Sequence, residues 1–256
     1  IECDGQARNG NIYDVIPSLK DSKYDKYIFI KDGKLKVDTN LAEPLRTYVS
    51  KYLGEDSKEN LSLFKGGDGT QENPYVISNV KQWIDFANDV NSGNDYENNY
   101  IILENDLDFS NVEIISIGNN EKNCFKGHFN GKNHIISNVN IYREASSSIN
   151  YSTLFGYLKD SSVTNVIVTN ESVTVQDSYC SGLVAVAENS NVEECKVEAN
   201  IVAEKNLDAC AGIVSYSVAS KITRCHFSGS AKYKSNNGNF GGYISVAGIV
   251  GSARNT

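Results

Sequence analysis

A chain of 256 residues with 24 Lys plus Arg against 32 Asp plus Glu carries a net charge of −8. That balance argues against a nucleic acid or an anionic membrane surface as partner, because a phosphate backbone is held by clustered basic residues that displace counterions. No apolar run approaches the roughly 20 residues of a membrane-spanning helix, and the length leaves room for a substantial core and a second domain.

The chain begins at Ile1 and contains no Met, so a processed or cut N-terminus is expected, with any signal peptide in the missing part. Residues 1–65 read as a small α/β element. Tyr27–Ile30 and Leu35–Val37 flank Lys31-Asp32-Gly33-Lys34. Asp-Gly between apolar runs predicts a hairpin, because glycine accepts the positive φ of the tight turn. Leu41, Leu45, Tyr48, Val49, Tyr52 and Leu53 then share one helical face, capped at Thr39 or Asn40 and stopped at Gly54. Residues 55–60 read as a polar linker.

A second domain is predicted over 66–256, with 66–100 as its capping lead-in. Gly66-Gly67-Asp68-Gly69-Thr70 reads as a structural turn, since the Lys that a phosphate-binding loop requires does not follow the glycines. Val80, Trp83, Ile84, Phe86, Ala87 and Val90 fall at helical spacing. This helix carries the single Trp and is expected to close the end of the structure that follows. Tyr100–Phe109 and Ile114–Ile117 read as the next two strands.

From there the chain repeats itself. Thr153-Leu154-Phe155-Gly156, Gly182-Leu183-Val184-Ala185, Gly212-Ile213-Val214-Ser215 and Gly248-Ile249-Val250-Gly251 each place two large apolar residues between small ones. Equivalent positions are spaced 29 (154 to 183), 30 (183 to 213) and 36 (213 to 249). A second run keeps the same step: Val163, Val166 and Val168, then Val192, Cys195 and Val197, then Ile222, Cys225 and Phe227. Ile136, Val139 and Ile141 stand 27 residues before the first of these triplets and extend the repeat by one coil.

A fixed period of this length marks a stacked repeat. Its apolar positions end in two-residue alternation, its residues suit strands, and Ser, Asn, Asp and Gly between them suit turns. The fold class is therefore mainly β, a parallel β-helix or solenoid in which each coil completes its neighbours' cores. A coil that opens at Gly248 and is incomplete at Thr256 leaves an open strand edge, so a longer chain is expected.

Cys180, Cys195, Cys210 and Cys225 are 15 apart, half a repeat. Cys180 therefore aligns with Cys210, and Cys195 and Cys225 take the inward position of Val166. Two readings stand side by side: small hydrophobes in a ladder, or inter-coil disulfides, which strand neighbours about 4.8 Å apart permit. A zinc site is not expected, since no C-x-x-C pair or paired His has ligand spacing. No other metal or cofactor is implied.

The stretch Gly67–Ile77, the phrase Phe125–Ile141 (F-K-G-H-F-N-G-K-N-H-I-I-S-N-V-N-I) and the Gly-Leu/Ile-Val coil starts resemble the GLUG-repeat surface proteins of bacteria. These include adhesin-like proteins and the N-terminal regions of IgA-specific metalloendopeptidases. The resemblance covers Gly66 to Thr256 and implies a right-handed parallel β-helix on an exported protein. Thr153, Ala185 and Ser215 depart from the family's glycines, and no functional residue transfers. Residues 1–65 lie outside the match; their hairpin-plus-helix is similar to small pilin-like head regions.

Chemistry is sparse. Glycan-cleaving β-helices use clustered carboxylates or a basic pair. The candidates here are Asp106, Asp108, Asp160, Asp177, Glu188, Glu193, Glu194 and Asp208, with only Arg143 and Arg224 among the coils. Turn and solvent-facing roles account for them better. His128, His134 and His226 have no nucleophile in a recognised motif, and Cys225 and His226 point to opposite faces of a strand.

Binding remains. The swollen interval places Tyr233, Asn236, Asn237, Phe240 and Tyr243 in one loop, where solenoids gather insertions on their binding side; the loop from Arg143 to Tyr151 is a second candidate. The expectation is a non-catalytic extracellular binding, adhesion or spacer module, at the cell surface or secreted, with a host or matrix protein or glycan as partner. The alternatives are an accessory region of a larger secreted protease and a glycan-degrading enzyme.

Overall fold

The structure is a computed structural model that describes residues 28–31, 34–37, 63–110, 112–143, 151–175, 179–204, 209–234 and 245–255. The chain divides into two compact units, Ile1–Leu63 and Phe64–Thr256. In the first, strands Ile28–Lys31 and Lys34–Val37 pair antiparallel with Lys31 opposite Lys34, while Asp32 and Gly33 lie outside the described residues. The helix expected between Leu41 and Leu53 lies outside the described residues.

The second unit is a parallel β-solenoid with four faces. The first face stacks Tyr75–Ile77, Tyr100–Leu103, His128–Asn130, Ser162–Thr164, Asn191–Glu193 and Lys221–Thr223. The second stacks Leu107–Asp108, Ile135–Ser137 with Asn140–Arg143, Ile167–Val175, Lys196–Ala203 and His226–Tyr233. The third runs through Tyr151–Ser152, Tyr179–Ser181, Ala209–Ala211 and Ser245–Ala247. The fourth runs through Phe155–Lys159, Val184–Glu188, Val214–Val218 and Val250–Arg254. Every pairing in this unit is parallel, and the register keeps the steps read from the repeat: Phe155 pairs Val184, Val184 pairs Val214, and Val214 pairs Val250.

The corners explain the turn residues. Asp160, Asn189 and Ala219 form one column with φ of 50°, 48° and 49°, and Asn165, Glu194 and Arg224 form another with φ of 53°, 55° and 53°. Each rotates the chain from one face to the next in the left-handed region, which Asn and Asp tolerate best after Gly. The columns are tied between coils by Asn189 Nδ2 donating to Asp160 Oδ1, and by Asn165 Nδ2 donating to Asn130 Oδ1 at 3.2 Å.

Inside, the core changes character along the stack. At the capped end the helix Val80–Asn91, the only helix among the described residues, buries Trp83, Phe86, Ala87 and Val90. Asn79 caps it by accepting from the Gln82 N–H at 2.9 Å, while Ser78 N–H donates back to Gln82 Oε1 at 2.8 Å. This reciprocal arrangement satisfies otherwise orphaned donors. The Trp83 ring meets Phe109, Phe129 and Phe155 edge-on at 6.1, 5.6 and 5.7 Å. Further along, the inward columns thin to Val, Ala and Cys, as in Val168 and Val197, until Phe227 brings a ring back into that column.

The repeat glycines are small for a reason the columns show. A Cβ on Gly212 would lie 2.2 Å from the Phe227 ring, and one on Gly182 would lie 2.5 Å from Val197. The coil start gives up its side chain so that the second face can project one.

Three sequence expectations need correction. Tyr100–Phe109 is not one strand: Tyr100–Leu103 and Leu107–Asp108 lie on the first and second faces, because the chain turns a corner at Glu104–Asp106. Ile114–Ile117 forms only a single bridge, from Ile117 to Phe155, although Ile114 and Ile117 are buried. The coil before the repeats is also longer than 27 residues. Ile136 pairs Val168 and Ile141 pairs Val173, both 32 apart, while Phe129 pairs Val163 at 34. The true match was hidden because Glu171, not an apolar residue, stands above Val139 in the inward column.

Candidate binding surface

Of the residues the sequence put in a binding loop, Tyr233 ends the strand His226–Tyr233 and pairs Ala203. Asn236, Asn237, Phe240 and Tyr243 lie outside the described residues, as do Asp177, Asp208 and the loop 144–150. The cysteine columns form as spaced. Cys180 is in register with Cys210, Cys195 is fully buried beside the buried Val166, and Cys225 follows at the open end, half-buried. Their thiols are free. Cys195 and Cys225 donate to the carbonyls of Val163 and Val192 at 3.7 and 3.6 Å. The hydrogen bond with the neighbouring Cys225 thiol, and then burial, push Cys195 up, whereas the same bond draws the more accessible Cys225 down to about 7.

The carboxylates are engaged structurally. Asp106 accepts from Ile135 N–H at 2.8 Å and His134 at 3.1 Å, and Asp108 accepts from Asn138 at 2.8 Å. These bonds hold both below the ordinary carboxylate range. Glu193 and Glu194 share Arg224, the latter at 2.9 Å. Glu171 is the exception: it is fully buried, neither oxygen has a hydrogen-bond partner, and burial pushes its pKa well up. Among the described residues no group of three or more His, Cys, Asp or Glu could hold a metal ion.

A feature that sequence reasoning missed lies where the third and fourth faces meet. Tyr151 and Tyr179 are neighbours in register on the third face. Tyr157, Val186 and Tyr216 form the adjoining outward column on the fourth. The corner between them is reentrant: small residues stand at its hinge, where a Gly156 Cβ would lie 3.0 Å from the Tyr151 ring and a Gly251 Cβ 3.2 Å from Ala209.

The tyrosines therefore converge into a row. Ring centroids are 6.1 Å apart for Tyr151–Tyr157, 6.2 Å for Tyr151–Tyr179 and 5.9 Å for Tyr179–Tyr216, and Arg254 sits 5.7 Å over Tyr216. Tyr151 is packed in with Ala185 and Val186, while Tyr157, Tyr179 and Tyr216 are partly exposed. At the rim Tyr157 donates to Glu188 at 2.7 Å, and Lys159 pairs Glu188 at 3.1 Å. Burial, then the Glu188 bond, raises the Tyr157 phenol, so it remains a donor in neutral water.

No protein-family model matches the chain. A protein of Evansella cellulosilytica described as a candidate Gly-rich membrane protein is 32% identical over 120 residues, which is 45% of this chain and 13% of that protein. The chain thus spans about an eighth of the length of this curated relative. No helix among the described residues is long and apolar enough to cross a membrane. The crystal structure of a candidate immunoglobulin A1 protease from Bacteroides ovatus superposes with a TM-score of 0.52 at 20% identity, covering 76% of this chain and 66% of that one. At that identity the likeness is one of fold, and the fold the two share is the β-solenoid.

Proposed function

We propose that the solenoid is a non-catalytic binding or spacer module of a larger exported protein, at the bacterial cell surface or secreted, whose coil exterior meets a host or matrix protein or a glycan. The observation that carries this reading is the tyrosine row. Partly exposed rings in a reentrant corner offer large, rigid contact area at low entropic cost, and phenol groups add directional bonds. The row also runs across successive coils, as an extended partner requires. The carboxylates favour the same reading, because hydrolysis of a glycosidic bond needs two of them converging across the substrate, whereas the candidates among the described residues serve corners and ion pairs.

A second reading is favoured by the fold shared with the B. ovatus protein: an accessory region of a secreted protease whose catalytic part lies elsewhere in the polypeptide. The description of the E. cellulosilytica relative as a membrane protein supports a surface location. The test is an array of glycans and matrix proteins probed with this chain and with Tyr179→Ala/Tyr216→Ala. The expected result is a ligand that is bound without turnover and weakened on the order of tenfold or more by the double variant. Cleavage of a bound glycan, or binding indifferent to both substitutions, would overturn the reading.

A further inference from the structure

On the first face, away from the tyrosine row, a recess of about 330 Å³ opens over the coils. Its origin lies in one outward column, Tyr100, His128 and Ser162, paired in register. The rings of Tyr100 and His128 lie against each other at a 34° tilt with centroids 4.6 Å apart. The next coil offers only a hydroxyl, so the floor drops by the depth of a ring. The loop carrying Gln71 and Pro74 closes one side and the turn carrying Lys132 the other.

The polar groups around this recess are fixed in place. Ser162 Oγ holds His128 Nδ1 at 2.9 Å, which leaves Nε2 as the ring's remaining polar atom. Asn130 Oδ1 is occupied by the Lys132 N–H at 2.8 Å and the Asn165 amide at 3.2 Å, so its own NH₂ is the group left to donate. Lys132 is held at φ 52°. No salt bridge joins its ammonium to a carboxylate among the described residues. Although the chain carries a net charge of −8, the lining contains no Asp or Glu.

A site of this size takes a single ring, since small-molecule pockets begin near about 300 Å³. An aromatic wall, hydroxyl and amide groups on the floor and one unopposed cation together describe a pyranose that bears a carboxylate. We propose that this recess binds a carboxylated monosaccharide unit, with Lys132 facing the carboxylate, the His128 ring as its wall, and Ser162 and Thr164 beneath the ring hydroxyls. The proposal rests on reading the chain as a binding module but shares no residue with the tyrosine row, so either can fail alone.

Titration of the ¹⁵N-labelled full chain with glucuronic acid, with N-acetylneuraminic acid, and with glucose as the neutral counterpart separates the possible sources of the carboxylate. The expected result is saturable shifts of amides in 128–132 and 162–164 with at least one acid, and roughly tenfold weaker binding of glucose. Lys132→Gln should cost the acid about the same factor. Ser162→Tyr, which fills the recess from a half-buried, outward-facing position, should abolish the shifts while the Tm stays near that of the parent. Absence of saturable shifts with both acids, equal binding of glucose, or full binding by Lys132→Gln would each overturn the proposal.

Discussion

The two ends of the solenoid are built from one repeat and meet water differently. At the capped end Trp83 lies among Phe109, Phe129 and Phe155, all under 2% exposed. At the other end Ile222, Cys225 and Phe227 are only partly covered, and Val246 and Ile249 are 40% and 38% exposed. Val192 and Ile222 are register partners of the same chemistry, yet only Val192 is fully buried. Burial in a stack is thus conferred by the coil above, and a residue's sequence fixes its column without fixing its protection.

Deleting a large side chain at each end separates the two most directly. Trp83→Ala should cost about 3–5 kcal/mol in urea denaturation, the range for a buried aromatic. Phe227→Ala should cost less than about half as much, because its cavity is already open to water. Equal losses would mean that the open end is as well packed as the closed one.

Between the two ends, Glu171 buries a carboxyl without a hydrogen-bond partner. Its pKa is raised in the folded chain, so the folded state binds a proton that the unfolded chain releases. Stability from this group is full below the ordinary carboxylate range and falls as pH rises toward the folded pKa. Glu171→Gln should therefore remove part of the loss of stability between pH 5 and pH 8, at most about 1.4 kcal/mol for each pH unit. Melting curves of both proteins across that interval check the sign; a parallel pair of profiles would contradict it.

At a corner, Ala219 stands in the column of Asp160 and Asn189 with φ of 49°. Ala219→Gly or Ala219→Asn should stabilise by about 0.5–1 kcal/mol, measured by Tm, since an alanine pays for left-handed backbone. The smallest expected effect is kinetic. With its thiol drawn to about 7 and partly exposed, Cys225 should be alkylated by iodoacetamide first among the described cysteines, and Cys124, Cys180, Cys195 and Cys210 only after unfolding. Peptide mapping of a time course reads the order.

The sequence made the columns legible wherever register partners share chemistry. Leu154, Leu183 and Ile213, or Val163, Val192 and Ile222, announce themselves by spacing alone. It misled where one member broke the column's chemistry: Glu171 over Val139 made a 27-residue alignment look better than the real step of 32. The corner at Glu104–Asp106 was missed because two short strands on different faces read as one apolar run.

The tyrosine row escaped notice for a related reason. Tyr151 and Tyr179 are 28 apart, and Tyr157 and Tyr216 are 59 apart, two coils. The gaps at Val186 and Ala209 leave no single period, and only the reentrant corner brings the two columns together. Spacing by one and two coils was nonetheless a usable signal. For the recess on the first face there was none, since it depends on a hydroxyl following two rings.

The fit of the Phe227 ring into the place of a Gly212 side chain makes these two positions, fifteen residues apart, tenants of a single volume. Neither can be varied freely without the other. Gly212→Ala should be poorly tolerated even beside Phe227→Val, because the added Cβ would also lie 2.2 Å from the Gly248 carbonyl oxygen, just as one on Gly182 would lie 2.7 Å from the Gly212 carbonyl oxygen. Each such glycine is therefore pinned from two directions, and the freedom to redesign a rung lies in the ring opposite it rather than at the coil start.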